Sequence, residues 1–142
     1  MGNYSNTQRL NYLRQSFTNN TDRYNQTNFK FNHKVPFAVS FDEIEFVDTL
    51  EQVNLFTECL KDFFDKASVE LSIIKNDNGT KSIDGVCDKD SLFWQLDGRA
   101  HFSASGDLDV PRFDAGDLIY LKKDSVYTIN TGIQMAIAVF KI

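Results

Sequence analysis

Between Leu92 and Phe140 short apolar runs alternate with tight-turn residues, and no other feature narrows the fold of this chain so far. The runs read LFWQLDGRAHF, then FDAGDLIYLKKDSVYTI, then MAIAVF. Ahead of them Val69–Ile74 alternates loosely and ends at the turn residues Asn76-Asp77-Asn78-Gly79. Five of the seven glycines (79, 98, 106, 116 and 132) fall at turns between these runs. Many short strands at regular turn spacing predict a sandwich or barrel. Asp97-Gly98 predicts a two-residue hairpin joining Leu92–Leu96 to Arg99–Ala104. That register sets Trp94 opposite His101 on one face and Phe93 opposite Phe102 on the other. Further strands are expected at Val110–Phe113, Leu118–Leu121, Val126–Ile129 and Ile133–Phe140. The last is apolar on both faces, which predicts a central strand rather than an edge.

One helix stands before these strands. Leu50, Val53, Phe56, Leu60, Phe63 and Phe64 repeat at helical spacing, and Thr49 with Gln52 has the form of a capping box. The helix is expected over about 49–66, with its Phe-rich face in the core. Phe37–Phe46 has strand character. Residues 1–34 read differently: eight asparagines fall there, and NNTDRYNQTN has no periodicity. Leu10, Leu13 and Phe17 make a narrow helical stripe with Thr7 as a candidate cap. Such a stripe needs a partner surface, either the chain's own barrel or another subunit. The division expected is an extended, polar N-terminal arm, 1–34, and a barrel domain, 35–142.

At 142 residues, with 42% hydrophobic content, the chain is long enough for one domain with a real core. Charge separates the two parts. Residues 1–34 carry a balance of +4, so residues 35–142 carry −9 within the total of −5. An acidic body argues against a nucleic-acid groove on the barrel. The basic arm would suit the acidic face of a neighbouring copy, with Arg9, Leu10, Leu13, Arg14, Phe17 and Arg23 as the candidate assembly residues. Cys59 and Cys87 are too far apart for a CxxC site and too few for a disulfide framework, so free thiols are expected. No apolar run approaches membrane-spanning length, and the polar start MGNYSNTQRL predicts neither a secretory leader nor a myristoyl site. A cytoplasmic location is expected, or a virion if the Phe-, Asn- and Ile-rich usage reflects a bacteriophage genome.

The C-terminal half resembles the JmjC-like branch of the cupin superfamily. The resemblance rests on Gln95-Leu96-Asp97-Gly98, the aromatic Phe102 after the turn, and the corner Gly116-Asp117-Leu118-Ile119-Tyr120-Leu121. It covers about a third of the chain and implies a mainly β fold: a cupin-like double-stranded β-helix, or jelly-roll barrel, behind a helical N-terminal part. It also implies where iron would be held. A His-x-Asp/Glu pair should precede the Gln-Leu-acid-Gly strand, and a later His should follow the Gly-Asp corner. Here those positions fall on Gly85, Cys87 and Tyr127. Glycine has no donor, and a neutral phenol is a poor one. A slip of a residue or two brings in Asp84 or Asp88, yet the chain holds only two histidines, His33 and His101. Asp107, Asp109, Asp114 and Asp117 would suit Ca²⁺, but corner chemistry is the reading preferred.

The first function expected is therefore a non-catalytic, metal-free module without cofactor, structural or binding, working in a homo-oligomer or larger assembly through its arm. Nucleic acid and membrane are not expected partners. Two alternatives stay open. One is an Fe(II)/2-oxoglutarate oxygenase-like enzyme or another metal-dependent cupin enzyme. The other is a binder of small molecules in the barrel interior, with Trp94, His101, Tyr120 and Tyr127 as candidate lining.

Overall fold

A computed structural model describes residues 6–31, 51–77 and 79–142. Its elements are α1 (Asn6–Asn19), a 3₁₀ turn (Thr21–Arg23), β1 (Phe29–Lys30), α2 (Glu51–Phe64), β2 (Glu70–Asn76), β3 (Lys81–Val86), β4 (Ser91–Asp97), β5 (Arg99–Ala104), β6 (Leu108–Asp114), β7 (Leu118–Leu121), β8 (Val126–Thr131) and β9 (Met135–Lys141). The strands form two antiparallel sheets in the orders β1-β7-β4-β9-β2 and β3-β8-β5-β6. With β1 set aside and β2 counted as first, the orders are first-eighth-third-sixth and second-seventh-fourth-fifth. This is the winding of an eight-stranded jelly roll.

The apolar pattern explains which strands sit in the middle. β4 and β9 are buried at every position but the last. They lie side by side in the first sheet, with β7 beyond β4 and β2 beyond β9. The expectation that the last strand is central therefore holds. The inner face of that sheet meets the second sheet through Phe93, Ile119, Leu121, Met135, Ile137 and Val139. The outer face, with Leu92, Trp94, Leu96, Leu118, Tyr120 and Phe140, is covered by helix and arm.

The expected hairpin at Asp97-Gly98 is corrected. β4 pairs with β7 and β9, whereas β5 pairs with β6 and β8. Asp97-Gly98 is the corner where the chain crosses between sheets. The β4–β9 register shifts between Gln95 and Asp97, and Gly98 takes a φ of +80°. The physical reason lies in the faces: β4 is apolar on both and is covered on both, but β5 exposes Arg99 and His101 and is apolar on one. Phe93 and Phe102 do meet, with ring centroids 5.1 Å apart, across the sandwich rather than across a hairpin. Trp94 and His101 do not face one another.

α2 buries Val53, Phe56, Cys59 and Leu60, as its periodicity requires. It stops at Phe64, two residues short of expectation, because Asp65 adopts a left-handed φ of 52°. Thr49 and the side chain of Gln52 lie outside the described residues, as does the expected strand Phe37–Phe46. In α1, Thr7 sits inside the first turn rather than ahead of it. The side chains of Arg9, Leu10 and Leu13 are also outside the described residues. Phe17 is fully buried against Phe63 at 5.2 Å and Phe64 at 6.0 Å, so the chain's own helix covers that end of the stripe.

Residues 20–31 then turn back onto the sheet rather than extending away. Tyr24, Phe29 and Phe31 are buried, and Phe29 pairs with Tyr120 in β7. A two-residue strand has no sequence signal, and β1 was not anticipated. Nor was β3, in which only Ile83 and Gly85 are partly buried, too few apolar positions to read as alternation.

Candidate functional site

The three positions that the cupin resemblance assigns to metal lie together at one end of the sandwich. Gly85 in β3 pairs directly with Tyr127 in β8. The Tyr127 ring leans inward, T-shaped on Phe93 at 5.1 Å and stacked on Phe102 at 5.9 Å. A Cβ built on Gly85 would stand 2.3 Å from the Tyr127 Oη. Residue 85 is therefore a glycine beneath an aromatic ring, and no ligand side chain fits there while the ring stays. Cys87 follows β3 and is buried; its amide donates to Ser125 O at 2.9 Å, and its carbonyl accepts from Asp124 N at 2.7 Å.

The chemistry of these groups is that of neutral side chains. Burial pushes the Cys87 thiol up, partly offset by a hydrogen bond with Ser91. Burial also raises the Tyr127 phenol, and the neighbouring thiol adds to the shift. Both groups stay protonated near neutral pH, and a thiol or phenol must lose its proton to bind a metal well. The carboxylates that a register slip would recruit point elsewhere. Asp84 is exposed and accepts from Thr128 Oγ1 at 2.7 Å. Asp88 is exposed and lies 3.2 Å from Lys141 Nζ, a contact that lowers its carboxyl pKa. Among the described residues no three of His, Cys, Asp and Glu gather as metal ligands, and His33 is not one of those residues. Gly85, Cys87 and Tyr127, as placed, are not the neutral and anionic donors that suit Fe(II).

This packing makes a prediction. Gly85→Ala should destabilise the protein by about 1–3 kcal/mol, because the Tyr127 ring has to leave Phe93 and Phe102. In a Tyr127→Ala background the same change should cost close to nothing. Urea denaturation of the four proteins measures the coupling, and additive effects within about 0.5 kcal/mol would rule out the ring over Gly85.

The four candidate lining residues do not share one space. Trp94 lies on the outer face of its sheet, stacked on Phe56 of α2 with centroids 3.9 Å apart. Tyr120 is on that same outer face beside Tyr24 at 4.9 Å, and burial, then Asp90, drives its phenol pKa well up. His101 is exposed on the outer face of the second sheet, where its Nε2 lies 2.5 Å from Asp109 Oδ1. Only Tyr127 reaches between the sheets. That interior is packed with rings, Phe102 lying 5.4 Å from Phe113 as well as 5.1 Å from Phe93.

Of the candidate arm residues, the described Arg14, Phe17 and Arg23 make contacts within the chain. Arg14 lies 3.5 Å from Asp62 of α2, and the Arg23 guanidinium sits 4.5 Å over the Phe29 ring. The acidic cluster is dispersed. Asp109 engages His101, Asp114 accepts from Arg99 Nε at 2.7 Å, and buried Asp117 meets Lys30 at 3.2 Å and the Asp114 amide at 2.8 Å. Asp107 takes a φ of 64° in the β5–β6 turn.

Sequence reasoning missed Asn28, which ties the arm to the barrel. Its Nδ2 donates to Ser105 O at 2.8 Å, and its Oδ1 accepts from Lys122 N at 2.8 Å and Ser125 Oγ at 3.1 Å. One asparagine among eight in the arm carries no sequence signal for this role.

No family model matches the chain. No curated protein matches it either. Among solved structures the chain is similar to a cupin superfamily protein from Desulfitobacterium hafniense DCB-2, with a TM-score of 0.46 and 15% identity over 52% of this chain and 66% of that one. It is also similar to a protein of unknown function from Rhizobium leguminosarum bv. viciae 3841, with a TM-score of 0.45 and 19% identity over 52% of this chain and 69% of that one. The chain thus spans about two thirds of the length of each.

Proposed function

We propose that this protein is a non-catalytic, metal-free cupin-fold module of the JmjC-like type that serves as a structural or binding subunit of a homo-oligomer or larger assembly. The observation that carries the first half is the Tyr127 ring above Gly85, which takes the place a ligand side chain would need. Support for association comes from the surface. Among the described residues β3 is the outermost strand of its sheet, and its Val86 pairs with Val126 of β8; both stand more than half exposed, at 63% and 53%. An exposed apolar pair on an outermost strand favours pairing with another chain.

Two measurements test this reading on the full-length protein. Elemental analysis after purification should find no stoichiometric transition metal; one iron per chain would sink the non-catalytic half. Sedimentation should give a multimer, or a larger particle such as a virion subassembly when partners are present. Val86→Lys with Val126→Lys should reduce it to monomer with the melting temperature of the fold retained. A wild-type protein monomeric at about 50 μM, with no co-purifying partner, would defeat the assembly half. Deleting residues 1–34 is a poorer test, since it strips Phe17, Tyr24, Phe29 and Phe31 from the barrel they cover.

A further inference from the structure

Along one side of the sandwich β1 and β6 run as the outer strands of their sheets among the described residues. Between them lies an open groove of about 610 Å³. Its apolar surface is offered by half-buried Leu108 and exposed Pro111, with Phe29 and Val110 buried in its wall, and its basic part by Arg23, Lys30 and Arg112. Among the described residues that line it Asp109 is the one carboxylate, and His101 already holds it. Three basic side chains in one groove stand out on a chain of net charge −5.

The cations are incompletely neutralised. Lys30 pairs with Asp117 at 3.2 Å. Arg112 lies 3.7 Å from Asp114, but that carboxylate is held more closely by Arg99, at 2.7 Å. Among the described residues Arg23 makes no ion pair; its guanidinium rests 4.5 Å above the Phe29 ring. A guanidinium fixed over an aromatic face keeps its donors free for a planar carboxylate.

The edges themselves argue against an added peptide strand. Pro111 has no N–H to offer, and the β5–β6 register shifts across it, from Ala100 opposite Phe113 to Phe102 opposite Val110. β1 provides two residues. Neither edge can hold a continuous ladder, and the volume falls within the roughly 300–1,000 Å³ of small-molecule sites.

We propose that this groove binds a small organic carboxylate with an apolar body. The body lies on Leu108 and Pro111, and the carboxylate meets the basic rim of Arg23 and Arg112. The site is separate from the barrel's filled interior.

Three probes test it by titration followed in amide NMR: 4-phenylbutyrate, indole-3-acetate and octanoate. At least one should bind saturably, with shifts concentrated at residues 29–30 and 108–112. The matching neutral amide should bind about tenfold more weakly, the worth of one charge-assisted contact, and acetate should not saturate. Arg112→Gln and Arg23→Gln should each weaken binding about tenfold, while Lys123→Gln, on a different loop, leaves it unchanged. If Arg23→Gln proves unstable, Arg112→Gln decides alone, since among the described residues its side chain makes just the long contact to Asp114. The proposal fails if none of the three carboxylates saturates, if amide and acid bind alike, if acetate binds as well as the larger acids, or if Arg112→Gln has no effect.

Discussion

Gly98→Ala is expected to destabilise the protein by about 3–5 kcal/mol, and Gly106→Ala by only about 1 kcal/mol, although both glycines have the same φ of +80°. The backbone penalty of a left-handed alanine is common to the two. The surroundings are not. A Cβ on Gly98 would sit 2.0 Å from the carbonyl oxygen of Gln134 and 2.9 Å from the Met135 Cα, both backbone atoms. One on Gly106 would find nothing nearer than Asn28 Nδ2 at 3.8 Å. Relief at Gly98 means moving the start of β9, which is paired with β2 and β4 along its length. Against a total stability of about 5–15 kcal/mol this is a large loss. Urea midpoints for the two variants give the comparison. A difference below about 1 kcal/mol would mean that the corner is not packed against β9.

Trp94→Ala is expected to cost a further-reaching loss, about 3–5 kcal/mol, the usual range for a large aromatic removed from a core. Trp94 is completely buried, stacked at 15° on Phe56, and shares its cluster with Leu92, Phe140 and the inner face of α2. Its removal should lower the melting temperature by roughly 10–15 °C, at about 3 °C per kcal/mol for a chain of this size. It should also loosen α2 specifically. Cys59 provides the reporter: it is 2% exposed on that helix, and burial raises its thiol to about 11, so wild-type protein should resist alkylation there. In the variant Cys59 should react at least tenfold faster, as peptide mass mapping would show. Cys59 remaining as protected as in wild type would mean that Trp94 does not seat the helix. Phe56→Ala in addition should cost less than it does alone, since the stacked pair is already broken.

The Trp94 prediction also marks where sequence reading stopped. Val53, Phe56 and Leu60 could be read as one helix face, because a 3.6-residue period is written directly in residue order. The short strands and their glycine turns were equally legible, since alternation and left-handed turns are local properties. The sheet in which each strand lies was not local. Asp97-Gly98 suits a tight turn in either geometry, and only the double-sided burial of β4 against the one-sided burial of β5 separates a hairpin from a crossing. As a consequence Trp94 and Tyr120, expected between the sheets, face the helix and the arm.

The site shows the same division. Gly85, Cys87 and Tyr127 were picked out by the cupin resemblance, and folding does bring them together. That a phenol ring would lie over Gly85 depends on the cross-strand register of β3 and β8, which pairs residues 42 positions apart. The groove beside β1 required still more, because Arg23 and Arg112 become neighbours only when the edges of two different sheets are set side by side.

What the sequence by itself determined is the kind of element that its strongly patterned segments form, β1 and β3 excepted, and the presence of only two histidines, since period, turn chemistry and donor type belong to residues one at a time. What only the tertiary structure decided is which apolar face meets which. Two of the chain's aromatic faces, equal in sequence, are assigned to an inner core and an outer one by long-range strand pairing, and no local pattern records that choice.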